Sequence, residues 1–465
     1  MEESSSIICP LQRHAHKNPD HLFIVSSGKI FTYGEADRLA SAATQKIVNA
    51  GLRPGDRVGV VVFPTAEYII FLLGLWRAGV VACLLSPQAP LAEIEQSLKD
   101  INAQFLFNDP SLSLEEDAAA AGSHLWKYAV DQDATIMFTS GSLARPKAVL
   151  HSYGNHYYSA LGSNEHIAFA SGDRWFLALP LFHVSGLSII FRAMTSGAAI
   201  VTGEYKNLES EIKNLHVTHV SLVTTQLSRL LQNPQAARSL KLLKAILLGA
   251  SAIPPELIDQ SVEARLPLYI SYGLTEMASQ VATSVCLRTP QDRTKINILK
   301  YRQVMIKDDG EILVKGEVLF KGYVSGDLLM RPLDKDGWFP TGDLGEWDND
   351  GHLRVIGRKD NMFVSGGENI HPEEIEYHLC RHPAVEQAVV VPVEDPEFGQ
   401  RPAAFVQFRP DQQATAQEMT DHLTQYLPKF KIPVKFLSWK DDPAYTSIKL
   451  KRKYFQAIAD GMKKR

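Results

Sequence analysis

Residues 57–85 read RVGVVVFPTAEYIIFLLGLWRAGVVACLL. A membrane span needs ~20 nearly uninterrupted apolar residues, and Pro64, Glu67 and Arg77 break this run. What remains is a β-rich run at 57–63, a proline turn, a segment at 65–78 with helical spacing, and a second β-rich run at 80–85. Strand, buried helix and strand together form the repeat of an α/β layer, in which helices cover a largely parallel sheet.

The same alternation continues outward, with β-rich runs at 104–107, 135–138, 175–179, 198–201, 219–223 and 244–248. From about Gly310 the texture changes: Asp309-Gly310, Asp336-Gly337 and Asp350-Gly351 punctuate short runs, an antiparallel pattern. After about Arg358 a separate unit follows, with a helix starting at Pro372, strands at 385–393 and 403–408, and a helix at 416–426. The chain has 465 residues, and a single core stops growing near ~250–300. Two domains are therefore expected, an N-terminal one over 1–357 and a C-terminal one over 358–465.

Apolar residues make up 45% and charged residues 22%, the balance of a folded globular protein. With 48 basic against 52 acidic residues and a net charge of −4, the chain lacks the basic excess that binding a phosphate backbone requires, so nucleic acid is not an expected partner. Cys9, Cys83, Cys286 and Cys380 are too dispersed for a disulfide framework or a zinc spacing. Residues 1–20 carry acidic and serine residues where a signal peptide needs positive charge and then an apolar run. Reduced thiols in a cytoplasmic protein are expected.

Residues 139–147 read Thr-Ser-Gly-Ser-Leu-Ala-Arg-Pro-Lys and follow a β-rich run. Backbone N–H groups, the hydroxyls of Thr139, Ser140 and Ser142, the flexible Gly141 and the Lys147 ammonium are donors that a polyphosphate requires. The common nucleotide loop has glycine directly before its lysine, whereas Pro146 stands here. A plain Ser/Gly turn is the alternative for this stretch alone. Further on, residues 270–276 read Ile-Ser-Tyr-Gly-Leu-Thr-Glu. Tyr272 offers a flat face to a base, Thr275 a hydroxyl to a phosphate, and Glu276 a hard oxygen to Mg²⁺. Gly249, Ala250 and Ser251 form a small-residue turn, and residues 338–344, Trp-Phe-Pro-Thr-Gly-Asp-Leu, place Asp343 where a carboxylate accepts from two hydroxyls.

Together these strings resemble the acyl-adenylate-forming superfamily, which includes acyl-CoA ligases, luciferases and peptide-synthetase adenylation domains. The resemblance covers nearly the whole chain. It implies a large multilayer N-terminal domain of stacked, mostly parallel sheets with a small antiparallel barrel-like part, and a small mobile α+β C-terminal domain hinged near Asp360. It further implies that Ser140, Gly141, Ser142, Lys147, Gly249, Ala250, Ser251, Ser271, Tyr272, Gly273 and Thr275 line the nucleotide. In the same way, Asp343 and Arg358 hold the ribose, Glu276 holds Mg²⁺, and Thr139 and Lys449 act in adenylation. Leu143, Ala144, Ala148 and Ile448 depart from the family pattern. Because alanine resists positive φ, Ala144 and Ala148 are expected to stiffen the phosphate loop. Lys451 and Lys453 lie close to Lys449 as competitors for its role.

The acid is addressed by residues 179–194, LPLFHVSGLSIIFRAM. In the family this segment leads to the acyl pocket, which assigns His183 to it. Ser185, Ser188 and Arg192 share one helical face inside an apolar stretch. A buried arginine requires an anion, either an acidic residue of the chain or a second carboxylate on the substrate. The second case resembles 2-succinylbenzoate–CoA ligases of the menaquinone route, which share the Phe-His-Val-Ser-Gly string, the compact length and the terminal Ile-Lys. Aryl-acid ligases of the chlorobenzoate type share the string Ser-Gly-Gly-Glu-Asn-Ile at 365–370, and a non-catalytic nucleotide-binding homologue is the reading outside the enzyme class. The resemblance thus implies ATP, Mg²⁺ and coenzyme A as reactants and a homodimer as the assembly.

Overall fold

The computed structural model describes residues 6–109, 125–139, 146–249, 253–438 and 452–461. Residues 57–85 fold as read, with strand Arg57–Val61, helix Ala66–Arg77 and strand Val81–Leu85, the two strands pairing in parallel. Every residue of that helix except Glu67 is buried, as befits a helix that is apolar all round. Arg77, which counted against a membrane span, is buried too. Its guanidinium donates to the Asp37 carboxylate and to Ser41 Oγ. No helix among the described residues is long and apolar enough to cross a membrane.

Two large sheets sandwich these helices. One has seven strands, in the order Leu328–Met330, Gly322–Ser325, Lys147–Ser152, Asp133–Thr139, Val81–Leu85, Arg57–Val61 and Phe105–Phe107. The second has nine, centred on the parallel strands Arg174–Phe176, His219–Val223, Ala245–Gly249 and Leu268–Leu274. Helices Tyr33–Asn49, Ala66–Arg77, Tyr153–Ile167 and Val184–Ser196 contribute to one apolar core with both sheets. At its centre Trp76 packs on Phe191 at 4.8 Å and Tyr153 meets Phe191 edge-on at 5.3 Å. The Asp-Gly-punctuated region forms a four-stranded antiparallel sheet of Gln303–Ile306, Glu311–Lys315, Phe339–Trp347 and Leu353–Arg358.

The C-terminal α+β part has its own apolar clusters, built on the paired strands Val385–Asp395 and Gly399–Phe408 with helices Pro372–Leu379, Ala416–Thr424 and Arg452–Gly461. Its opening hairpin, Phe363–Ser365 with Glu368–Ile370, turns on Gly366 and Gly367 at φ +57° and +91°. A two-residue hairpin turn requires positive φ at both positions, which glycine supplies. The α/β class, the stacked sheets and the small C-terminal part thus match the reading of the sequence. The strand at 175–179 is shorter, Arg174–Phe176, because the chain leaves the sheet to form the turn before His183. All four cysteines are free, as expected.

Candidate active site

Three edges of the fold converge on the site. Strand Asp133–Thr139 delivers Thr139 at its end, and the next strand begins at Lys147, with Thr139 opposite Lys147 in the antiparallel register. Ser140, Gly141, Ser142, Leu143 and Ala144 lie outside the described residues, as do Ala250, Ser251, Ile448, Lys449 and Lys451. Ala148 corrects one expectation. It is a buried strand residue paired with Phe138 on one side and Val324 on the other. It needs no positive φ and does not stiffen a loop.

The nine-stranded sheet supplies the second edge. Gly249 ends strand Ala245–Gly249, and a Cβ there would sit 2.5 Å from Ser271 Oγ. Ser271 Oγ itself donates to the Leu248 carbonyl at 3.3 Å. Gly273 is required for a similar reason: its Cβ would lie 2.0 Å from the Ser279 carbonyl oxygen. Thr275 and Glu276 stand in a single 3₁₀ turn between antiparallel strands Leu268–Leu274 and Ser279–Ser284. That turn closes on Ala278 at φ +49° and Ser279 at φ +122°, a left-handed geometry costly for non-glycine residues and typical of functional turns. His151 supports it from below, its buried Nε2 donating to the Thr275 carbonyl at 2.7 Å. Burial holds this imidazole down to about 4.

The four-stranded sheet supplies the third edge and ties the site together. Tyr272 Oη donates to Asp343 Oδ2 at 2.7 Å, and Arg358 Nη1 donates to Asp343 Oδ1 at 2.9 Å. Burial raises the Asp343 pKa, while its bonds from Tyr272 and Arg358 oppose that rise. Arg358 also donates to the Thr341 carbonyl and, through Nε, to Asp360 at 3.0 Å. The hinge candidate is thus bonded to the ribose candidates. Glu276 Oε1 accepts from Tyr323 Oη at 2.7 Å, and Lys147 Nζ lies 4.7 Å from the centre of the same ring.

Among the described residues no group of three His, Cys, Asp or Glu side chains is arranged to hold a metal. One carboxylate is nonetheless a fitting ligand for Mg²⁺, which keeps several waters and takes most remaining oxygens from phosphate, while a lysine meets the phosphates and not the metal. Glu276 would hold it, and Lys147 and Thr275 would meet the phosphates.

The acyl-pocket candidates divide. His183 is exposed at the start of helix Val184–Ser196, its ring 4.6 Å from Phe182. Ser188 is buried and returns its hydroxyl to the Ser185 carbonyl at 3.1 Å. Arg192 is 1% exposed, stacks over Trp175 at 4.8 Å and donates through Nη2 to Gln280 Oε1 at 2.6 Å. Among the described residues its Nε and Nη1 have no partner. Burial and the charge of Arg302 both push its pKa down. Arg302 is itself buried and bonded to carbonyls of Gln280, Lys300 and Ser159. The two guanidiniums share Gln280, and no ion pair to either is present among the described residues.

Gln280 and Tyr323 escaped the reading of the sequence. Gln280 follows the Tyr-Gly-Leu-Thr-Glu string by four residues, and that proximity was the one signal for it. Tyr323 reaches the site through strand pairing across 174 positions of chain, from Val149, which no local pattern reveals.

The AMP-binding enzyme family matches residues 11–324, and the AMP-binding enzyme C-terminal domain matches residues 374–449. The 2-succinylbenzoate–CoA ligase of Bacillus subtilis (strain 168) is 31% identical over 479 residues, covering 97% of this chain and 98% of that protein. The Bacillus subtilis o-succinylbenzoate CoA synthetase in complex with its acyl-adenylate intermediate superposes with a TM-score of 0.85 at 30% identity, covering 97% of this chain and 98% of that one. The same synthetase with ATP and magnesium ion superposes at 0.83 and 30% identity, covering 94% and 97%. With family matches over residues 11–324 and 374–449 and relatives about 30% identical along nearly its whole length, the chain belongs to the AMP-binding enzymes and is an adenylate-forming acid–CoA ligase.

Proposed function

We propose that this ligase activates 2-succinylbenzoate, forming its acyl-adenylate and pyrophosphate and then its coenzyme A thioester. The observation that carries this reading is Arg192. A guanidinium buried with Nε and Nη1 unpartnered and no carboxylate paired to it among the described residues costs several kcal/mol unless an anion arrives. A second carboxylate on the acid supplies that anion, and a simple fatty or aryl acid does not. The kinship with succinylbenzoate ligases at about 30% identity supports the same acid.

In the first half-reaction an oxygen of the acid attacks the α-phosphorus of ATP, the bond to the bridging oxygen breaks, and pyrophosphate leaves with the electron pair. Asp343, Arg358 and Tyr272 hold the nucleoside, so the reaction gains from orientation. Lys147 and Lys449 would supply the positive charge that offsets the negative charge developing in the transition state, a task suited to point charges. Mg²⁺, when bound, neutralises part of the triphosphate charge. Thioester formation follows when the C-terminal domain, residues 358–465, turns about Asp360 and admits coenzyme A. Its sulfur then attacks the acyl carbonyl, and AMP leaves. ATP and coenzyme A as reactants fit a cytoplasmic enzyme.

The test is coenzyme A-dependent pyrophosphate release with 2-succinylbenzoate, benzoate, chlorobenzoate and a medium-chain fatty acid. Strong preference for 2-succinylbenzoate is expected. Arg192→Ala should raise KM for that dicarboxylate by about tenfold or more and leave the monocarboxylates nearly unchanged. Preference for an aryl acid in the unsubstituted protein would discard the succinylbenzoate assignment and keep the ligase.

A further inference from the structure

Tyr323 touches both charged groups at the phosphate end of the site. Its hydroxyl donates to Glu276 Oε1 at 2.7 Å, and the Lys147 ammonium rests over its ring, 4.7 Å from the centroid. The residue is 8% exposed. Phe320 meets it edge-on at 4.9 Å and is itself braced by Phe339 at 5.2 Å. Strand Gly322–Ser325 is hydrogen-bonded to the strand that begins with Lys147, and the Phe320 N–H donates to the Glu276 carbonyl at 2.8 Å. Tyr323 is therefore fixed on three sides, while Lys147 is a long and flexible side chain.

We propose that Tyr323 is a positioning residue for the triphosphate, its hydroxyl orienting Glu276 and its ring face holding Lys147 until a phosphate takes the ammonium. The inference rests on membership of the adenylate-forming ligases and is independent of which acid is used. A contact between an ammonium and an aromatic face is weaker than a charge-assisted bond to phosphate, so Lys147 is held close and still released. Glu276, with one oxygen engaged by Tyr323, presents the other to a hard cation.

Two substitutions separate the two roles. Tyr323→Phe removes the hydroxyl and keeps the ring with almost no change in volume, whereas Tyr323→Leu removes both. Calorimetric titration of the full chain with Mg·ATP and with AMP, at limiting and saturating Mg²⁺, reads each. For Tyr323→Phe, Mg·ATP binding should weaken by about tenfold at limiting Mg²⁺ and recover at saturation. For Tyr323→Leu, a loss that Mg²⁺ does not restore should remain, because Lys147 is no longer placed. AMP lacks the β- and γ-phosphates, so its affinity should stay within about twofold for both variants. Equal weakening of AMP and Mg·ATP would reduce Tyr323 to a packing residue, and unchanged Mg·ATP binding in Tyr323→Phe would refute the role of its hydroxyl.

Discussion

Arg192 and Gln280 show how one side chain gains meaning from another. Gln280 is 2% exposed and has every polar group engaged: Oε1 accepts from Arg192 and from Ser163, Nε2 donates to Thr283, and its carbonyl accepts from Arg302. These bonds hold the Gln280 side chain in one orientation, so Gln280 fixes the Nη2 side of Arg192 while Nε and Nη1 stay open to an anion. Gln280→Glu would place a carboxylate between the two guanidiniums from within the protein. We expect KM for a dicarboxylate to rise by about tenfold or more, KM for ATP to stay unchanged and the free protein to melt at a higher temperature. Initial rates and scanning calorimetry check these, and an unaltered dicarboxylate KM would show that Arg192 does not face the acid. Arg192 itself was legible as a charge inside an apolar helix. Its lack of an acidic partner among the described residues was not, since any of 52 acidic residues was eligible until the chain folded.

The helix Val184–Ser196 carries His183 at its start and Arg192 near its end, and its placement depends on Gly186. A Cβ at that position would lie 2.2 Å from the Pro180 carbonyl oxygen and 2.5 Å from that of Leu179. Both obstacles are backbone, so Gly186→Ala must displace the helix or the turn before it. Overpacking of this kind costs about 1–3 kcal/mol. A lower denaturant midpoint is expected, together with a raised KM for the acid and an unchanged KM for ATP. If KM for both substrates rises equally, the helix does not serve the acyl side alone. The helix was legible from its apolar spacing, and so was Pro372–Leu379 from its proline start. The antiparallel excursion Ser279–Ser284 was not, because its turn residues Ala278 and Ser279 are not those that favour positive φ, and tertiary packing imposes the geometry.

At the scale of the molecule, acid lability follows from placement, and the proposed domain motion is tested there too. His151, His156 and His219 are buried, and burial is the first cause holding each pKa below its ordinary value, to about 4 for His151 and His219. Each is neutral in the folded chain and takes up a proton only when unfolded as pH drops below about 6.5. Stability is therefore complete above about pH 6.5 and falls progressively toward pH 4, with His151 alone contributing about 3 kcal/mol of that loss. Denaturant midpoints between pH 7 and 4.5 measure it, and His151→Gln should flatten the slope. The proposed domain motion concerns Lys449, three residues before Arg452, which is anchored in the C-terminal part by Glu373 at 3.3 Å and Glu376 at 3.0 Å. Lys449→Ala should abolish adenylation and leave thioester formation from supplied acyl-adenylate largely intact. Equal loss in both half-reactions would remove that role from Lys449.

By itself the sequence determined the α/β layering, the parallel character of the strands, the small C-terminal α+β part and the strings by which the family is known. These depend on periodicity, on glycine and proline, and on short strings in which the chemistry lies within a few residues. Only the tertiary structure decided that Tyr272, Asp343 and Arg358 form one bonded set, that Tyr323 joins Glu276 to Lys147, and that Arg192 meets Gln280 across 88 positions of chain and, among the described residues, no acid. Those contacts are between residues far apart in sequence. Their energies depend on burial and on partner distance, quantities that exist only once the sheets have stacked.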